Sequence, residues 1–349
     1  MVGRNNTELV LLSDSSSMLM LVLIGIILFT ITIWTIIGNI IVILAFITDK
    51  KIRQGGMSNY LILNLAISDL LLGIAVLPFS ASYSTFHIWN FGKFLCEMWL
   101  IIDVLCSTAS IWGLLMIAFD RYIATNYPIY YRHHRHSISR ALCTICIAWF
   151  VSLIICLLPT LIFEKKSKLS SHHLQTKYNE QTYQCELYKD SNFVITSSLL
   201  SFYIPLIIMI FLYGKVLYAI KQQSHIRHKV NGTHKTLQEN SSHQVYLNTN
   251  EEDLSSSDQQ QIGRRELTAE VRITRSLAIV IGCFICCWLP FFTLYIIRAV
   301  CHCLSFNAIE FFFWLGYSNS SINPILYAIL NKNFRDAFKN MIWKENYSS

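Results

Sequence analysis

Asp103 stands alone in the run KFLCEMWLIIDVLCSTASIWGLLMIAFDRYIATNY, residues 93–127, with Cys96 before it and the pair Asp120-Arg121 towards the far end. An ionised carboxylate in such surroundings lacks water and needs a cation or hydrogen-bond donors. A protonated amine supplies both. Asp69, within YLILNLAISDLLLGIAVLPF, meets the same difficulty. Unpaired at a bilayer centre it costs at least about 2.5 kcal/mol, so it is expected to face the interior of a bundle and to hold a cation or water. Ser197, Ser198 and Ser201 are a third group. On a helix Ser197 and Ser201 share a face and Ser198 lies about 100 degrees round. Three such hydroxyls can meet the ring hydroxyls of a small amine, or can bond carbonyls of their own helix. Asp120 and Arg121, with Glu270 at the start of a later apolar run, can form an ion-pair set. Each pair at a wet surface contributes only about 0 to 1 kcal/mol, weak enough for a ligand to bias.

The elements that must carry these residues are membrane helices. Hydrophobic residues make up 53% of the chain and charged ones 14%, and the mean hydropathy is +0.43. A soluble domain carries about 25% charged residues. Apolar blocks at 18–48, 58–82, 94–119, 141–163, 193–220, 272–300 and 308–330 each reach the roughly 20 residues needed to cross a bilayer. The expected fold is therefore an all-α membrane protein, a bundle of seven transmembrane helices. NKNFRDAFKNMI then reads as a short amphipathic eighth helix on the inner surface. Along span 3, Asp103 lies roughly 10 Å beyond Cys96 and Arg121 roughly 27 Å beyond Asp103. Pro78, Pro159, Pro205, Pro290 and Pro324 interrupt spans, and the backbone groups they free must be satisfied by side chains or water.

Lys50, Lys51 and Arg53 follow span 1, Arg132, Arg135 and Arg140 follow span 3, Arg264 and Arg265 precede span 6, and Lys332, Arg335 and Lys339 follow span 7. The positive-inside rule thus places the N-terminus outside and the C-terminus in the cytoplasm. The +7 net charge is a topology signal and calls for no nucleic acid. No removable signal peptide is evident, so span 1 is expected to direct insertion itself. Asn5 fits a glycosylation acceptor on the outer tail. The organisation expected is an extracellular tail over 1–17, a seven-helix domain over 18–330 and a surface helix with short tail over 331–349. Within it, residues 221–266 are polar and without apolar period, and read as a flexible cytoplasmic loop.

The sequence resembles the rhodopsin-type G-protein-coupled receptors of the biogenic-amine group over nearly all its apolar length. The resemblance rests on Gly38-Asn39, Leu65-Ala66 with Asp69, Cys96, Asp120-Arg121-Tyr122, Trp149, Pro205, Cys287-Trp288-Leu289-Pro290 and Asn323-Pro324-Ile325-Leu326-Tyr327, in order on seven spans. LPFSA, DVLCSTASIWGL, DRYIATNYP and IGCFICCWLPFF are similar to alpha-adrenergic and octopamine receptors. FVITSSLLSFYIP is similar to dopamine receptors, and AFITDKK with LNLAISD to histamine receptors.

This resemblance implies a plasma-membrane receptor, not an enzyme, that binds a small amine and activates a heterotrimeric G protein, with arrestin, a receptor kinase and membrane lipid as further partners. It implies that Tyr317 holds Asp103 and that the ligand ring lies near Trp288, Phe291 and Phe292, with Ser107, Tyr295 and Trp314 completing the pocket. The serine row then favours a catecholamine or phenolamine: dopamine, noradrenaline, octopamine or tyramine. Histamine, serotonin and a constitutively active receptor without ligand are the alternatives. On activation Arg121 would turn towards Tyr213 and Tyr327 while span 6 swings about Pro290. Asp69, Ser110, Asn319, Ser320 and Asn323 match the family's sodium pocket, an allosteric ion being the one cofactor implied. Cys96 and Cys185 both fall on the oxidising outer side, where a disulfide persists. Cys301 and Cys303 either close a small ring, as in the dopamine receptors they resemble, or stay free. Residues 308–331 contain no lysine for the Schiff base of an opsin. Neither the repeated halves of a transporter nor a nucleophile-base set or metal-ligand spacing is present.

Overall fold

The computed structural model describes residues 5–134, 137–169, 178–179, 184–185, 191–241, 252–301 and 306–344. In chain order these form α1 (Asn5–Thr48), α2 (Lys50–Arg53), α3 (Met57–Ala75), α4 (Leu77–Phe86), α5 (Gly92–Asn126), α6 (Pro128–His134) and α7 (Ile138–Leu169). The strands β1 (Tyr178–Asn179) and β2 (Gln184–Cys185) follow, paired antiparallel with Tyr178 opposite Cys185. Then come α8 (Ser191–Ser198), a π turn at Leu199–Tyr203, α9 (Ile204–Ser241), α10 (Glu252–Cys301), α11 (Phe306–Leu330) and α12 (Lys332–Lys344). α1 runs through residues 5–17, read above as a tail, and α9 and α10 both extend into the stretch read as a flexible loop. Continuing an existing helix needs no new nucleus, so polar residues prolong it readily.

Among the described residues, six helices are long and apolar enough to cross a membrane: Met18–Thr48, Met57–Ala75, Gly92–Asn126, Ile138–Leu157, Ser191–Gln223 and Thr274–Cys301. α11, expected as the seventh span, falls short on apolarity because Ser318, Asn319, Ser320, Ser321 and Asn323 crowd its middle. Asn319, Ser320, Ser321 and Asn323 are buried against the bundle, while Phe311, Ile325 and Ile329 are exposed on its outside. Ile26, Ile33, Phe150, Ile207 and Phe211 are likewise exposed on other helices, as suits contact with lipid.

α5 is the centre of the bundle and packs against α3, α7 and α9. Prolines shape its neighbours. Val76 breaks the second span ahead of Pro78, so α3 and α4 are separate helices. The fifth span widens into the π turn just before Pro205, with the Ile204 N–H donating to Leu199 O. Pro290 and Pro324 sit inside α10 and α11.

Candidate functional site

In the outer half, α5 holds Asp103 buried. The hydroxyl of Ser107, one turn on, donates to its Oδ1 at 3.4 Å. Tyr317 of α11 is fully buried with its hydroxyl beside that carboxylate, yet without a formed hydrogen bond. No cation pairs with Asp103 among the described residues. An aromatic wall closes around this pair. Trp288 and Tyr317 meet edge to face at 6.3 Å, Trp288 lies 5.8 Å from Phe292 and 6.0 Å from Phe291, and Phe291 stacks on Tyr295 at 5.5 Å. Phe313 joins α10 to α11, 5.1 Å from Phe291 and 4.3 Å from Tyr317. Trp288 fits because Gly316 has no side chain: a Cβ there would come within 2.8 Å of its Cε3.

Across from this wall, Ser201 Oγ donates to Ser197 O at 2.7 Å and Ser197 Oγ to Val194 O at 3.1 Å. The self-bonded arrangement therefore holds for two of the three serines. Ser198 differs: it is fully buried and its hydroxyl has no partner. Phe202, on the π turn, stacks on Phe292 at 4.3 Å and ties the serine segment to the aromatic wall. Trp314 turns away, donating Nε1 to Ser84 Oγ of α4 at 2.9 Å. Above the site, the Cys96–Cys185 disulfide, with Cα atoms 5.8 Å apart, fastens β2 to the outer end of α5. Cys301 is disulfide-bonded; Cys303 lies outside the described residues.

At mid-depth, Asp69 of α3 accepts hydrogen bonds from Ser110 (3.1 Å), Ser320 (2.8 Å) and Asn323 (2.8 Å), so one carboxylate links α3, α5 and α11. The buried Oδ1 atoms of Asn319 and Asn323 have no hydrogen-bond partner. A carboxylate, hydroxyls and orphaned amide oxygens make an all-oxygen donor set, which fits a hard cation.

At the inner end, Asp120 and Arg121 are buried and paired, with Nη2 2.6 Å from Oδ2. Ser58 of α3 donates to Asp120 Oδ2 at 2.7 Å and accepts from Arg121 Nη2. Tyr131 of α6 accepts from Arg121 at 2.7 Å and donates to Asp120 at 3.3 Å. Burial pushes the Tyr131 phenol pKa up. Tyr213 donates to Thr274 O at 2.8 Å, which ties α9 to α10. The Tyr327 hydroxyl is buried without a partner, and its ring lies 5.8 Å from Phe334 of α12. Tyr122 points elsewhere, towards Phe119 and Tyr127.

The 7 transmembrane receptor (rhodopsin family) profile matches residues 38–327. The chain belongs to this family. It is 35% identical to the D(1B) dopamine receptor of Xenopus laevis over 321 residues, 88% of this chain and 67% of that one. A probable G-protein coupled receptor, No18, of Amphibalanus amphitrite is 34% identical, covering 88% of this chain and 86% of that one. The human alpha-1A adrenergic receptor is 32% identical, covering 92% and 68%. These relatives put the receptor in the amine-binding group of the family, a group of receptors and not of enzymes.

The receptor's expected residues thus gather at three depths. Asp103, Ser107, Ser198, Ser201, Trp288, Phe291, Phe292, Tyr295 and Tyr317 lie in the outer group. Asp69, Ser110, Asn319, Ser320 and Asn323 lie in the middle group, and Asp120, Arg121 and Tyr213 in the inner one. The side chains of Asn5 and Glu270 lie outside the described residues, although both positions are helical. Phe202, Phe313, Ser58 and Tyr131 were not anticipated. Phe313 stands four residues before Tyr317, the helical spacing that puts two side chains on one face. Ser58 and Tyr131 meet Asp120 from more than sixty and from eleven residues away, and no local pattern marks either.

Proposed function

We propose that this receptor binds a catecholamine or phenolamine at Asp103 and, by conformational coupling, promotes activation of a heterotrimeric G protein at its inner face. The observation that supports this reading is Asp103 itself: a buried carboxylate beside the hydroxyls of Ser107 and Tyr317, with no cation paired to it among the described residues and an aromatic wall next to it. A protonated amine supplies the missing charge and its N–H donors together. The aromatic faces of Trp288, Phe291 and Phe292 suit both the ammonium and an attached ring. The orphaned hydroxyl of Ser198 is the group best suited to a ring hydroxyl, with Ser201 able to leave its own helix and join it. The names of the dopamine and adrenergic relatives agree with this ligand class.

The remaining roles follow the same frame. Asp69 with Ser110, Asn319, Ser320 and Asn323 is the proposed sodium site. Asp120, Arg121, Tyr213, Pro290, Pro324 and Tyr327 are the proposed activation residues, and the N-terminus faces outward in a multi-pass plasma-membrane protein. Arrestin, a receptor kinase and lipid are proposed as further partners. The deciding experiment is a cyclic AMP and calcium screen of cells expressing the receptor against dopamine, noradrenaline, octopamine, tyramine, histamine and serotonin, with Asp103→Asn beside the wild type. A charge-assisted bond is worth about 1.5 to 3 kcal/mol, so Asp103→Asn should raise the effective amine concentration roughly ten- to a hundredfold at unchanged surface expression. An unchanged response refutes the anchor. A response to histamine alone keeps the anchor and refutes the ring reading.

A further inference from the structure

A cavity of about 620 Å³ opens at the inner end of the bundle, where the corner between α2 and α3 faces the start of α7. Arg53, Gln54, Met57 and Tyr60 line one side, and Ser137 with Ile138 the other. Its size is that of a small-molecule site. The corner is built on two glycines. Gly56 has φ 101°, in the left-handed region that favours glycine. Gly55 leaves room for the Asn59 amide, which would collide with a Cβ there and which donates to Ile52 O at 2.7 Å. Deeper in, the Trp149 indole donates to Asn64 Oδ1 at 2.8 Å and fastens α7 to α3. Both walls of the cavity are therefore preformed.

The lining divides by chemistry. Met57 is buried, Tyr60 packs edge to face on Phe46 at 5.1 Å, and Ile138 is exposed, so one part is apolar. The other part offers donors. Arg53 Nη1 donates to Ile47 O at 2.6 Å, which pins the guanidinium beside the end of α1. No acid pairs with Arg53 among the described residues. Asp49, its neighbour in α2, serves as the N-cap and accepts from the Lys51 N–H at 2.7 Å. The Gln54 amide and the Ser137 hydroxyl add donors without charge. A guanidinium fork suits phosphate oxygens, and basic pockets between helices at the cytoplasmic surface suit anionic headgroups. We infer that this cavity binds an anionic phospholipid of the inner leaflet, its phosphate on Arg53, Gln54 and Ser137 and an acyl chain against Met57, Tyr60 and Ile138. The inference rests on the cytoplasmic placement of α2 and is independent of the amine site, with which the cavity shares no residue.

The test uses the purified full chain in detergent and thermal stabilisation titrated with dioctanoyl phosphatidic acid. Dioctanoyl phosphatidylcholine, whose choline offsets the phosphate charge, is the neutral control, and inorganic phosphate is the head without chains. Phosphatidic acid should act at about tenfold lower concentration than phosphatidylcholine, the size of one charge-assisted contact, and inorganic phosphate should have no effect. Arg53→Gln should bring phosphatidic acid to the level of phosphatidylcholine and leave the latter unchanged. Arg53→Lys, which keeps the charge, should retain most of the preference and guards against a folding defect in the first variant. Lys51→Gln removes a nearby charge outside the cavity lining and should change nothing. Ile138→Trp, which fills the cavity, should abolish the response with Arg53 intact. Equal stabilisation by the two lipids, equal losses in Arg53→Gln and Lys51→Gln, or a full response in Ile138→Trp overturns the site. Stabilisation by inorganic phosphate to the same extent makes the ligand a free anion and overturns the lipid assignment.

Discussion

Pro324 has no N–H, so the carbonyl of Ser320, four residues earlier, loses its helical donor. Asn39 of α1 replaces it, donating Nδ2 to Ser320 O at 3.1 Å and to Thr35 O at 2.9 Å. Gly38 makes the approach feasible, since a Cβ there would stand 3.0 Å from Pro324 Cγ. The Gly38-Asn39 pair is thus the complement of Asn323-Pro324, and the two sequence signals are one contact. Gly316 plays the same part for Trp288. In Gly316→Ala the new methyl group lands 2.8 Å from the indole, and overpacking of this kind costs about 1 to 3 kcal/mol. The expected result is a lower Tm of the purified receptor and a weaker amine response, because Trp288 carries Phe291 and Phe292 with it. Gly214→Ala, where no atom lies within 4 Å of the added Cβ, is the control and should change neither. Ser198→Ala should raise the effective tyramine concentration about tenfold, one hydrogen bond at about 1 kcal/mol or slightly more, and leave phenylethylamine, which has no ring hydroxyl, unaffected. Equal losses for the two amines would exclude Ser198 as the ring's partner.

Three elements meet at the inner end: α3 brings Ser58, α5 brings Asp120 and Arg121, and α6 brings Tyr131. The cluster holds Arg121 against its own helix, so it favours whichever state keeps the inner ends together. Tyr131→Phe removes both of the hydroxyl's bonds while keeping the ring that lies 5.5 Å below the guanidinium. Hydrogen bonds to charged groups are worth about 1.5 to 3 kcal/mol, and the expected outcome is a higher basal second-messenger level without amine. A basal level equal to that of the wild type would mean that the cluster biases no equilibrium. The element scale is also where the sequence was most and least legible. Seven apolar blocks marked the spans, because each is long and the charges between them are dense. The π turn was invisible, since its register depends on hydrogen bonds around Pro205 that no residue type announces. Ser197 and Ser201 bond back to carbonyls of their own segment, the self-bonded alternative open to any helical serine, while Ser198 is left over. Of the site, Asp69, Asp103 and the Asp120-Arg121 pair were legible because a charge in an apolar run stands out. Phe202, Phe313 and Tyr131 were not, because an aromatic residue in a membrane helix looks the same whether it lines a site or only packs.

At the scale of the whole molecule, α11 touches the outer and middle groups, Tyr317 beside Asp103 and Ser320 with Asn323 on Asp69, and runs on to meet α12 through Tyr327. A ligand that draws on Tyr317 and the proposed cation drawing on Asn319 and Asn323 would act on one helix, α11 with Pro324 inside it, which would give them a physical route to influence each other. If the cation favours the arrangement with low agonist affinity, the agonist must weaken the cation by the same factor, since coupling between two binding sites is reciprocal. A tenfold effect would correspond to about 1.4 kcal/mol of coupling. The measurement is agonist affinity with sodium chloride replaced stepwise by N-methylglucamine chloride at constant ionic strength, so that screening of Asp103 stays fixed. Affinity should rise as sodium is withdrawn, and Asp69→Asn should abolish the dependence by removing the charge that the cation needs. A sodium dependence that survives in Asp69→Asn would remove the ion from this site. Asp69 would then be a structural acid, its charge met by Ser110, Ser320 and Asn323, and its role would be to fasten α11 to α3 and α5.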